Sequence, residues 1–195
     1  ASYMAKTWDA PCVLTKGEDG NSYIVGVPCD SDELNNDFIN IVRGLGGEMS
    51  EEVFGNHVVI IHLVGKDAKG ELAILGETST AENTMYITNN VAVMYAHPVT
   101  RAQARAIEPI FTPSSIGEGI VNVMRVTKSG DGYQIQIWVP SNSNILSDPM
   151  IATRMKRTVQ YLASQVFDGD KTELRFCKSE EDDPVPLQVY TAGGN

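Results

Sequence analysis

Arg125, Lys128, Gln134, Gln136 and Trp138 lie in one short stretch, residues 119–140, of a chain whose formal net charge is −10. The stretch Ser129-Gly130-Asp131-Gly132 between two β-rich runs signals a hairpin. In the second arm Tyr133, Ile135, Ile137 and Val139 share one face, because strand side chains alternate. Gln134, Gln136 and Trp138 share the other. The apolar face belongs to the core, so one of only two tryptophans is left among glutamines. A flat ring stacks an unpaired base at about 1–3 kcal/mol. Amides read base edges, and cations meet phosphates. Each residue also has a plainer reading: Trp138 covers a sheet edge, and Arg125 and Lys128 are solvated strand residues.

Other chemistries find less support. There is no GxSxG, HExxH or P-loop pattern with supporting context. His57 and His62 are five apart on one strand, so they point to opposite faces and share no local metal site. Arg154, Lys156 and Arg157 flank an apolar helical stripe of Met155, Val159, Leu162 and Val166. They read as a solvated face or as a second nucleic-acid contact. A non-enzymatic protein with no metal and no cofactor is expected.

The elements that hold these residues follow from the apolar pattern. At 195 residues the expectation is one α+β domain over 1–179, followed by an acidic, Pro- and Gly-containing tail, 180–195. Strands are expected near 8–14, 22–28, 53–64, 71–77, 85–94 and 172–178. A helix from about 32 carries Leu34, Phe38, Ile41 and Leu45 on one face and ends at Gly46-Gly47. Asp30 with Glu33 reads as its capping box. A second helix covers 99–107, a third carries the stripe above, and no internal repeat is evident. Residues 1–60 hold three basic and ten acidic residues, whereas 121–178 hold eight and five, so an anionic ligand belongs with the second half. Cys12, Cys29 and Cys177 show no pairing signal and are expected as reduced thiols. No secretion signal or membrane-length apolar run is visible, so a cytoplasmic location is expected.

This order, with a hairpin near its end, resembles the cap-binding translation initiation factors of the 4E family. The likeness lies in Gly119-Ile120-Val121-Asn122-Val123, in the Lys128-Ser129-Gly130-Asp131 turn and in Gln136-Ile137-Trp138. The resemblance implies a curved antiparallel sheet backed by about three helices. It also implies that Trp138 faces a nucleotide while Lys128 and Arg125 meet its phosphates. The family's stacking tryptophans have no counterpart in 15–22 or 65–71. The expected ligand is therefore uncapped single-stranded RNA, as for an RNA-binding protein of a phage. The alternative is a protein-interaction or assembly subunit, with the acidic tail as a docking surface for a protein partner.

Overall fold

The computed structural model describes residues 14–82, 84–87, 91–111, 122–139, 147–178 and 185–194. The expected strand at 8–14, Cys12 and the acidic run Glu180–Asp183 lie almost wholly outside them. The chain is α+β. It divides into two compact units, Ala1–Thr84 and Met85–Asn195.

In the first unit a short strand β1 (Leu14–Lys16) pairs antiparallel with β2 (Ser22–Pro28). Helix α1 (Asn36–Glu52) then leads to β3 (Val58–Lys66), which runs parallel to β2, and β4 (Leu72–Ser79) returns antiparallel at the edge. Asn35, not Asp30, caps the helix: its side-chain oxygen accepts from the Phe38 N–H at 2.9 Å. Asp30 and Glu33 instead close a turn upstream, with the Asp30 N–H donating to Glu33 Oε2 at 3.2 Å. The helix also runs straight through Gly46-Gly47. Gly46 serves packing here, since a Cβ on it would lie 2.8 Å from Ile61 Cδ1. Val25, Val27, Val42, Val59, Ile61 and Leu63 form the buried core of this unit.

The second unit builds a six-stranded sheet in the order β10-β9-β8-β7-β6-β5. Strands β5 (Thr84–Ile87) and β6 (Val91–Tyr95) replace the one strand expected near 85–94. Helix α2 (Arg101–Ile107) opens with a capping box between Thr100 and Gln103 and passes into a 3-10 turn, Glu108–Phe111. Next come β7 (Asn122–Ser129), β8 (Gly132–Trp138), α3 (Pro149–Gln165), β9 (Lys171–Cys177) and β10 (Pro186–Ala192). Met124, Val126, Ile135, Ile137, Leu174 and Phe176 meet Met155, Val159 and Leu162 of α3 in the core.

Both sheets are mixed rather than antiparallel, which corrects the expected architecture. Pairs β2–β3, β6–β7 and β8–β9 are parallel, because each is joined through a helix that carries the chain back to the starting end. Within the acidic tail, β10 pairs with β9 from Pro186 to Ala192.

An internal repeat runs through this architecture. The arrangement β1-β2-α1-β3-β4 recurs as β7-β8-α3-β9-β10. Residues from Asn35 to Val64 correspond to Asp148 to Cys177 without a gap, N-cap to N-cap and strand to strand. Tyr23 stacks on Phe54 with centroids 4.3 Å apart, and Tyr133 on Phe167 at 4.1 Å. The bulge between Leu63 and Val64 against β4 recurs at Phe176 and Cys177 against β10. Over the gapless span the aligned residues are identical only at Val53-Phe54 and Val166-Phe167.

Candidate functional site

Strand alternation sorts the five expected site residues onto two faces. Arg125 stands opposite Gln136, which stands opposite Arg175 of β9. Gln134 stands beside Glu173. Trp138 is on this same polar face, and the Arg125 guanidinium lies over its ring, 5.5 Å from the centroid. Four of the five are thus neighbours.

Lys128 is not. Three residues from Arg125, it points to the other side of the sheet and stands opposite Tyr133. Its ammonium donates to Asp170 Oδ2 at 2.9 Å and sits 4.2 Å from the Tyr133 ring centroid. The hydrogen bond to Asp170 holds its pKa above the ordinary lysine value. Lys128 therefore belongs to the Tyr133–Phe167 stack and not beside Trp138.

The polar face is wired together. With the Gln134 amide turned to suit its neighbours, its oxygen accepts from Gln136 Nε2 at 3.2 Å and from Arg175 Nε at 3.0 Å. Arg175 also donates to Glu173 Oε2, through Nη2 at 2.7 Å, while Lys171 meets Glu173 Oε1 at 2.9 Å. The Lys171 hydrogen bond first, and Arg175 second, hold the Glu173 carboxyl below the usual carboxylate range.

Burial decides what this face can do. Trp138 is 8% exposed, Gln136 4% and Gln134 9%. A base stacks on an open ring, and this ring is covered. Among the described residues Trp138 Nε1 and Gln136 Oε1 have no hydrogen-bond partner. The sequence pattern located the polar face but carried no signal of its burial.

Exposed chemistry lies instead on α3. Met150, Arg154, Arg157 and Tyr161, at helical spacings of four, three and four, form one solvent-facing stripe with Lys156 beside it. Met150 is 77% exposed and Tyr161 53%. The helix holds three basic residues and no acidic one. Its repeat counterpart α1 holds one basic residue, Arg43, against Asp37, Glu48, Glu51 and Glu52. Two structurally equivalent helices thus carry opposite charge.

A cleft of about 620 Å³ opens past the carboxyl ends of β2 and β3, lined by Cys29, Asp30, Glu33, Phe38, Lys66 and Leu72 among others. Burial, then Glu33 and Asp30, push the Cys29 thiol pKa up, away from a reactive thiolate. Among the described residues no three or more His, Cys, Asp or Glu side chains gather to hold a metal ion. No helix there is long and apolar enough to cross a membrane.

No family model matches the chain, and no curated protein matches it. A solved structure described as the crystal structure of Sex pheromone staph-cAM373 precursor is similar at 8% identity, with a TM-score of 0.28. The match covers 89% of this chain and 70% of that one. A likeness this low establishes neither fold nor function for this chain.

Proposed function

We propose that the chain is a non-enzymatic binding module for single-stranded RNA, with the solvent face of α3 as its working surface. The supporting observation is the stripe of Arg154, Arg157 and Tyr161 beside Lys156, on a helix without acidic residues in a chain of net charge −10. Guanidinium and ammonium groups meet phosphates, and an exposed tyrosine offers a face to an unpaired base. This moves the interface from the β7–β8 hairpin, where Trp138 is covered, to the helix that follows it.

Fluorescence anisotropy with a labelled single-stranded RNA tests the proposal. Arg154→Glu with Arg157→Glu should abolish binding. Arg157→Ala alone should lower the slope of log affinity against log salt by about 0.7 for one lost phosphate contact. A parent protein that does not bind, or a double variant that binds like the parent, overturns the reading.

A second reading, an interaction or assembly subunit, is favoured by one separate observation. Strand β4 is an edge strand with exposed apolar side chains: Leu72 is 79% exposed and Ile74 58%.

A further inference from the structure

We propose that β4 is a self-association edge, and that its occupant is β4 of a second copy of this chain, paired antiparallel about a twofold axis at Ala73. This rests on the second reading above and is independent of RNA binding.

The edge is open and built to accept a strand. Among the described residues no strand pairs with the outer side of β4. Its repeat counterpart β10 is likewise the edge strand of its sheet. Exposed edges are ordinarily blunted by charge or proline. Residues Leu72 to Gly76 contain neither, whereas β10, the repeat counterpart of β4, begins with Pro186.

The residues select a second copy over an unrelated strand. Leu72 and Ile74 stand opposite Lys66 and Val64 of β3, on the face away from the core. Placing Ala73 on the axis sets each Leu72 against Ile74 of the second copy, twice over, and continues that apolar face across the junction. The same register carries the turn residue Lys69 to Glu77 of the second copy, whose carboxylate meets His62 Nε2 of its own sheet at 3.0 Å and is still 62% exposed, so opposite charges meet at both ends. One short edge buries less than the roughly 1,200 Å² of a tight complex, so the dimer should dissociate on dilution.

Sedimentation velocity of the full chain over a dilution series is the test. The parent should shift from dimer to monomer as it is diluted. Leu72→Lys with Ile74→Lys should raise the dissociation constant about tenfold or more, with unchanged circular dichroism. Lys69→Glu and Glu77→Lys should each weaken the dimer, and the two together should restore it. That charge exchange carries the test should the apolar double variant unfold. A parent that stays monomeric up to its solubility limit overturns the inference, as does a dimer untouched by all of these changes. RNA anisotropy on the Leu72→Lys, Ile74→Lys protein separates the two functions: it should match the parent whether or not the dimer exists.

Discussion

Tyr133 stacks on Phe167 with ring centroids 4.1 Å apart and planes 19° from parallel, the same relation that joins Tyr23 to Phe54 at 4.3 Å and 17°. In both repeats the tyrosine begins a strand after a turn, and the phenylalanine follows the helix C-cap. The stack thereby locks the helix end to the strand start. Phe167 is 1% exposed. Phe167→Ala should cost about 3–5 kcal/mol of stability, read by chemical denaturation. A loss below about 1 kcal/mol would show that the stack is not what holds the helix end.

Trp138 should behave as a covered residue. At 8% exposure, Trp138→Ala should also cost about 3–5 kcal/mol. Its urea midpoint should fall with an unchanged slope. A midpoint equal to that of the parent would return the tryptophan to the role of an open platform.

Acid should weaken the polar network at one identifiable carboxylate. Glu173 titrates below its unfolded value because Lys171 and Arg175 stabilise its charge. Its contribution is therefore complete above the ordinary glutamate pKa of about 4.3 and is lost as pH falls through the lower folded value. Comparing the parent with Glu173→Gln by denaturation should give a difference at neutral pH that shrinks below about pH 4. A difference constant down to pH 2 would contradict the assignment.

Two glycine substitutions should differ in sign. A Cβ on Gly65 would overlap the Cys29 carbonyl oxygen, and the Cys29 N–H already donates to the Val64 oxygen at 3.0 Å. Gly65→Ala should destabilise by about 1–3 kcal/mol. Gly44, inside α1, has nothing within 4 Å of its would-be Cβ, so Gly44→Ala should stabilise by about 0.5–1 kcal/mol. Thermal melts of the two variants shifting in the same direction would count against this packing argument.

Much of the element order was legible because periodicity is local. The turn at Gly130, the alternation of β8 and the stripe of Met155, Val159 and Leu162 all survive in the structure. Pairing was not legible. Nothing in the strand sequences distinguishes a parallel neighbour reached through a helix from an antiparallel one, so the sheets came out mixed. Gly46-Gly47 read as a stop because glycine lacks helix propensity, yet close packing against Ile61 outweighs that loss. The repeat is not legible in the sequence because a backbone plan tolerates nearly complete replacement of its side chains. For the candidate site, alternation grouped Gln134, Gln136 and Trp138 correctly but could not say whether water reaches them. The resemblance groups Lys128 with Trp138, but three residues from Arg125 on one strand it falls on the opposite face.

The two core clusters have no residue in common, and each lies within one unit. Melting one therefore does not by itself dismantle the apolar interior of the other. A calorimetric trace of this chain should be fitted as two transitions with separate enthalpies, because a single van't Hoff enthalpy would fall short of the measured heat. Under that scheme a denaturation midpoint names the unit whose probe was followed: Trp138 belongs to the second unit and Trp8 to the first, so tryptophan emission reads one unit by itself only when the other tryptophan has been replaced.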